Sequence, residues 1–342
     1  MLGLHSPTKV LDREVPVTDS ESRLKQEINR FSQQENIHDL PSVYDYWSET
    51  YLRPRIRSTG YNNFHDMFIA HIDRTRSASG SKLQLVSIGS GNCDFEIVLA
   101  KKMVEQGIND FELSCFDIND VMLERGREAV QKVGLDSKFE FLQGDFNTWV
   151  PDAPIDIVLA NQSLHHVTEL EHLFDVVQNA LNPHGHFLIS DMIGRNGHMR
   201  WPEAEDYIQR LWATLPREKK YHHQLKKTFD DFYNHDCSNV GFEGIRAQDI
   251  LPLLIERFHF AYFLAFSVLM APFIGRGYGQ NYDIRKPQDK RFIDDVAVFE
   301  QALIDAGILK PVQMFAALTK ERLCEPVHDR HLTPQFCLRL PQ

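Results

Sequence analysis

Four places along this 342-residue chain combine residue types able to hold a nucleotide. The first is Leu85-Val86-Ser87-Ile88-Gly89-Ser90-Gly91-Asn92-Cys93-Asp94-Phe95-Glu96. It opens as an apolar, β-branched run, closes in a Gly-Ser-Gly turn and continues as apolar residues at helical spacing. Glycine at such a turn tolerates positive φ and lets a ligand reach the backbone with no Cβ in the way. Asp117 follows 26 to 28 residues after the glycines, where a carboxylate can accept both hydroxyls of an adenosine ribose. Asp145 beside Phe146 joins a carboxylate for an exocyclic amine to a ring that covers a purine. Asn161 offers an amide group facing the centre of the same cleft.

These residues meet only if the chain places them at one edge, and its alternation of elements does so. Strands are expected over residues 83–88, 111–116, 138–142, 155–160 and 186–191, with helices over 95–106, 121–133 and 169–181. A sixth strand is expected at 258–266 and a last one at 312–319, with helices at 246–257 and 292–306. This spacing predicts an α/β, Rossmann-like, seven-stranded and mostly parallel sheet with helices on both faces. In such a sheet ligands bind beyond the carboxyl ends of the strands, where Gly89, Asp117, Asp145 and Asn161 all fall. Around the core (residues 81–320) the sequence predicts an N-terminal helical cap at 1–80, bounded by Ser77-Ala78-Ser79-Gly80-Ser81. Within the cap, helices are expected at 21–37 and 62–74, after a loose arm at 1–20. Helical insertions are expected at 194–244 and 267–289, and an extended tail at 321–342.

Composition narrows the function. A formal net charge of -11 argues against nucleic acid as the main partner, because phosphate binding needs a basic face. Five scattered cysteines with no C-x-x-C pair fit reduced thiols rather than a disulfide scaffold or a zinc site. Residues 258–274 are too few and too aromatic for a bilayer span, and the first residues lack a cationic start followed by an apolar run. The expectation is a soluble, cytoplasmic protein with no membrane partner. Apolar faces on the N-terminal helices make a homodimer conceivable.

As a set, Val86-Ser87-Ile88-Gly89-Ser90-Gly91, Phe116-Asp117-Ile118-Asn119, Gly144-Asp145-Phe146, Asn161-Gln162-Ser163-Leu164-His165-His166 and Leu181-Asn182-Pro183-His184-Gly185-His186 resemble the class I S-adenosylmethionine-dependent methyltransferases that act on small molecules. The resemblance covers about 80 to 320 and implies S-adenosylmethionine as cofactor, with S-adenosylhomocysteine as product. Gly89 and Gly91 would pass its methionine part, Asp117 would hold its ribose, and Asp145 with Phe146 would frame its adenine; Ser90, Ile118 and Asn161 are further candidates for cofactor binding. Two positions depart from the family pattern. Ser87 stands where an acidic residue is usual, and Cys93 where a third glycine is.

The implied reaction is in-line transfer of the sulfonium methyl to a small-molecule acceptor, with an oxygen on a sugar or secondary metabolite favoured. An oxygen acceptor is helped by a general base, and His165 or His166 follows the fourth strand where the methyl should sit. A nitrogen or carbon acceptor, or a non-catalytic S-adenosylmethionine-binding scaffold, fits the same residues. Tyr44, Trp47 and Tyr51 could cover the ligand or simply pack helices, and Arg53, Arg55 and Arg57 read as a solvated face. His222, His223, Asp230, Asp231, His235 and Asp236 match no metal-ligand spacing and read as a solvated helix face, so no metal is expected.

Overall fold

The computed structural model describes residues 20–33 and 40–339. The arm expected at 1–20 thus lies almost wholly outside the described residues, as do the last residues of the helix expected at 21–37.

Four helices precede the sheet: α1 (Ser20–Ser32), α2 (Ser42–Trp47), α3 (Arg53–Ser58) and α4 (Phe64–Ser79). A π-helical turn, Ser48–Leu52, joins α2 to α3 just before Pro54. Proline has no N–H to continue an α-helical ladder, which accounts for the break in register there. Asn63 caps α4 by accepting from the Asp66 N–H at 3.0 Å, and Gly80 ends it in the left-handed conformation.

The core then alternates: β1 (Leu83–Ile88), α5 (Asp94–Glu105), β2 (Phe111–Asp117), α6 (Asp120–Lys132), β3 (Phe139–Gln143), β4 (Ile155–Asn161), α7 (Leu170–Ala180) and β5 (Leu181–Met192). After β5 come α8 (Pro202–Ala213), a hairpin of β6 (Tyr221–His222) and β7 (Lys227–Thr228), α9 (Ala247–Arg257), β8 (His259–Phe266) and α10 (Met270–Ile274). The chain continues with α11 (Pro287–Asp305), β9 (Gln313–Thr319), β10 (Val327–His328) and α12 (Pro334–Cys337).

The main sheet has eight strands in the order β10-β8-β9-β5-β4-β1-β2-β3. From β5 to β3 all pairs are parallel, and β9 runs antiparallel between β5 and β8. Order reverses between β1 and β4, which opens the crevice where ligands sit in such sheets. β4 is buried along nearly its whole length, as a central strand covered on both faces must be.

The expected count of seven strands is therefore one short. The eighth, β10, belongs to the segment expected as an extended tail; it is two residues long and carries no periodic pattern. Arg55 holds it in place, donating to Asp329 Oδ2 and to the Ala265 carbonyl, both at 2.7 Å. Arg55 is thus a half-buried tie and not part of a solvated face. The insertion after β5 is also less helical than expected: it holds one helix, one hairpin and 3-10 turns.

The cap packs directly on the sheet. Phe64 of α4 stacks on Phe95 and Phe315 at centroid distances of 6.0 and 5.0 Å, and Trp47 meets Phe266 at 6.3 Å.

Candidate active site

The turn after β1 is held by its backbone. Gly89 has φ 68° and Gly91 φ 54°. A Cβ on Gly89 would lie 2.6 Å from Ser163 Cβ, so glycine is required both for conformation and to let the loop after β4 approach. Ser90 is buried. Asp117, at the end of β2, is buried and accepts from the Gly91 N–H at 2.8 Å and the Asn119 N–H at 2.9 Å, one on each oxygen. Each oxygen keeps a second lone-pair direction for a ligand hydroxyl. Burial raises the Asp117 pKa, while the Asn119 and Gly91 N–H groups and the nearby His166 oppose the rise.

Beyond β3, Asp145 Oδ1 accepts from Asn147 N and Nδ2, both at 2.8 Å, which fixes the loop that carries Phe146. Phe146 is buried edge-on to Phe116. Ile118 follows Asp117 on the same rim, its carbonyl accepting from Gln143 Nε2 at 3.4 Å. Asn161 ends β4 opposite Ser190. Among the described residues Ser163 Oγ, buried beside the Gly89 turn, has no hydrogen-bond partner. An orphaned hydroxyl, a backbone cradle that admits no Cβ and a carboxylate with free lone pairs fit the polar end and ribose of an adenosyl ligand.

Both departures from the family pattern are compensated. Ser87 Oγ donates to Glu96 Oε1 at 2.5 Å, so α5 supplies the carboxylate that the strand lacks. Burial pushes Glu96 up to about 7. Cys93 adopts the left-handed conformation expected of a glycine, with φ 59°. A Cβ on Gly126 would lie only 2.8 Å from the Cys93 Sγ. Helix α6 thus gives up a side chain so that Cys93 can keep one.

Past β4 a second constellation forms from distant segments. A 3-10 turn, Leu164–His166, presents both histidines. Asp191, fully buried on β5, accepts from the Ser163, Leu164 and Met192 N–H groups and lies 2.6 Å from His165 Nδ1. His165 Nε2 faces Glu243 Oε1 at 3.6 Å. The same oxygen lies 2.9 Å from His198 Nε2, and Arg30 of α1 meets Glu243 Oε2 at 3.2 Å. The nitrogen and oxygen atoms of His165, His198 and Glu243 all lie within 4.8 Å of one another. His166 Nδ1 lies 2.5 Å from Glu27 Oε1, and Glu27 Oε2 accepts from the Phe242 N–H at 3.0 Å.

Charge is distributed unevenly in this group. Burial pulls His165 down, but Asp191 and Glu243 outweigh it and hold the imidazole at about 10. Burial lowers His198. Glu243 stays well below the usual carboxylate range despite its burial, because His165 and His198 donate to it.

The sequence singles out the neighbours His165 and His166, and the structure sets them beside different carboxylates, Asp191 and Glu27. It does not single out Glu243, which no local pattern marks. The aromatics of the cap take packing and hydrogen-bonding roles: Tyr46 and Tyr51 donate to Asp294 at 2.6 and 2.7 Å, and Tyr44 packs on Trp47. The histidines at 222, 223 and 235 form no helix face. His223 Nε2 pairs with Asn281 at 2.8 Å, His222 Nδ1 accepts from the Leu225 N–H, and Asp236 caps the turn at Ser238.

The family model described as a methyltransferase domain matches residues 79–259. Sterol 24-C-methyltransferase of Eremothecium gossypii is 27% identical over 193 residues, 54% of this chain and 46% of that protein. The 27-O-demethylrifamycin SV methyltransferase of Amycolatopsis mediterranei is 28% identical over 111 residues, 32% of this chain and 39% of that protein. The chain spans less than half the length of these relatives. The N-methyltransferase NodS of Bradyrhizobium japonicum, solved with S-adenosylhomocysteine, overlays with a TM-score of 0.41 and 10% identity, covering 87% of this chain and 98% of that one. Among the described residues no helix is long and apolar enough to cross a membrane. With more than half of its length matched, from the end of α4 through the glycine turn to α9, the chain belongs to the methyltransferase domain family and uses S-adenosylmethionine.

Proposed function

We propose that the chain transfers the methyl group of S-adenosylmethionine to a hydroxyl of a small molecule, a sugar or secondary metabolite. The observation that carries this reading is the buried polar group past β4, where His165, His166, His198 and Glu243 converge beside Ser163 and hence beside the methyl-donor turn. Nitrogen and carbon acceptors ask less of a base, and a scaffold has no use for one.

When bound, S-adenosylmethionine supplies an electrophilic methyl. Gly89, Ser90, Gly91, Asp117, Ile118, Asp145, Phe146 and Asn161 hold and orient it. The acceptor is held by the β4 end, α1 and the insertion after β5, which together exclude water. His166 is the partly exposed histidine of the pair, with Glu27 at its Nδ1, and takes the hydroxyl proton in this reading. His165 is enclosed, with Asp191 on one nitrogen and Glu243 near the other, and acts as a positioning residue. The test is incubation of the purified chain with methyl-labelled S-adenosylmethionine and a panel of hydroxyl, amine and sterol acceptors. Labelled methyl ethers support the reading. Label found only on nitrogen or on carbon, the chemistry named for the sterol relative, replaces it.

A further inference from the structure

We propose that His165, His198 and Glu243 form a site for one divalent transition-metal ion, zinc by ligand type, whose open position takes an oxygen of the acceptor. The proposal rests on the reading that the acceptor lies at the end of β4.

Two imidazoles and one carboxylate are the protein ligands of open, catalytic-type zinc sites, which keep a fourth position for water or substrate. Ligand atoms at about 2.1 Å from such an ion stand roughly 3.4 Å apart in a tetrahedron. Glu243 Oε1 stands 2.9 Å from His198 Nε2 and 3.6 Å from His165 Nε2, and the three ligand atoms lie within 4.8 Å of one another, so shifts on the order of 1 Å admit the ion.

Three further features mark a built site. The first is orientation. His165 Nδ1 is paired with Asp191, itself fixed by three backbone N–H groups. A histidine ligand backed by a carboxylate is the usual outer arrangement of a metal site, because it aims the other nitrogen inward.

The second is backbone conformation. His198 sits at φ 55°, a region that non-glycine residues seldom occupy. Gly197 and Gly244 flank the site at φ 66° and 68° and are joined by a 2.8 Å hydrogen bond between the Gly197 N–H and the Gly244 carbonyl. A Cβ on Gly244 would lie 3.0 Å from the Gly197 and His198 nitrogens. This crossing places His198 against Glu243, and strained residues of this kind cluster at functional sites.

The third is charge. Glu27, Asp191 and Glu243 bring three buried or half-buried carboxylates into one neighbourhood, and Arg30 meets one of them. Arg30 and an imidazolium at His165 balance two of the three, and a divalent cation that displaces the His165 proton, as metal binding to histidine does, keeps that balance.

The experiment uses the full chain stripped with a chelator. Zn²⁺ is titrated calorimetrically and Co²⁺ by visible absorption, with S-adenosylhomocysteine titrated in parallel as a check on the fold. The expected result is one equivalent of metal with the intense bands of four-coordinate Co²⁺. Affinity should fall at least about 100-fold in Glu243→Gln and in His198→Ala, and about 10- to 100-fold in Asp191→Asn, the loss typical of an outer partner. Glu243→Gln and His198→Ala should still bind S-adenosylhomocysteine. A chain that binds S-adenosylhomocysteine but no metal overturns the site and shows these side chains to be a hydrogen-bonded group only. Metal binding unchanged in Glu243→Gln and His198→Ala overturns it as well. Undiminished methyl transfer in chelator would overturn the metal's hold on the acceptor and leave the methyltransferase reading standing.

Discussion

At the ends of β1, β2 and β3 each group proposed to hold the cofactor belongs to its own strand or to the turn that follows: Gly89, Asp117, Asp145. Past β4 Glu27 meets His166, and Glu243 meets His165 and His198, groups drawn from four separate segments. The first region is shaped by local backbone geometry, so a change there is felt by the turn itself. The second exists only when the cap, the core and the insertion after β5 are docked. In the proposed reading the donor groups come with the core and the acceptor groups with added segments, in keeping with the separability of fold and grafted site.

The sharpest separation of the two regions is kinetic. His166→Ala should lower kcat by about 10²- to 10⁴-fold, the usual worth of a positioned base, with S-adenosylhomocysteine affinity within a few-fold of wild type. Parallel loss of both would merge the two regions into one.

Glu96 tests the donor side through pH. Its folded pKa, about 7, lies above the ordinary 4.5, so the proton is held more tightly in the folded chain. Its contribution to stability is complete below the unfolded pKa and is lost as pH rises through about 7. Between pH 5.5 and 8 the wild type should lose on the order of 2 kcal/mol relative to Glu96→Gln, read by urea unfolding at both values. Identical pH slopes would mean that Glu96 is not the displaced carboxylate inferred from its bond to Ser87.

Gly126→Ala should cost about 1–3 kcal/mol through overpacking against Cys93, and Cys93→Gly should recover most of it. Additive losses in the double variant would show that the two positions are uncoupled.

The smallest effect joins the regions. Asn119 Nδ2 donates to the Ile28 carbonyl and Ser32 Oγ at 3.2 and 3.1 Å, tying α1 to the donor rim while Glu27 and Arg30 tie it to the acceptor side. Asn119→Ala should weaken S-adenosylhomocysteine binding by a few-fold, about 1 kcal/mol for a lost side-chain bond. No change would free α1 from any part in closing over the ligand.

These contrasts explain what the sequence discloses. Hydrophobic runs of five to seven residues, a glycine turn and helix-spaced apolar faces are local signals, and they place β1 to β5, β8 and β9 within a residue or two except at the start of β5. β10 escapes because two residues have no period, and what holds it is Arg55 from far upstream. Glu243 escapes for the same reason: nothing near it in sequence announces His165 or His198. The histidines at 222, 223 and 235 attract notice by crowding, yet the fold spends them on turns and packing. Cys93 and Ser87 read as losses in one dimension, and only the packed structure reveals Gly126 and Glu96 as their answers.

The most direct test of the division between donor and acceptor regions is calorimetric titration of S-adenosylhomocysteine into wild type, Asp117→Ala and Glu243→Gln. Micromolar binding that is weakened more than about 100-fold by Asp117→Ala, the loss of two charge-assisted hydrogen bonds, and unchanged by Glu243→Gln is the predicted result. Binding that survives Asp117→Ala, or that fails equally in both variants, would contradict it.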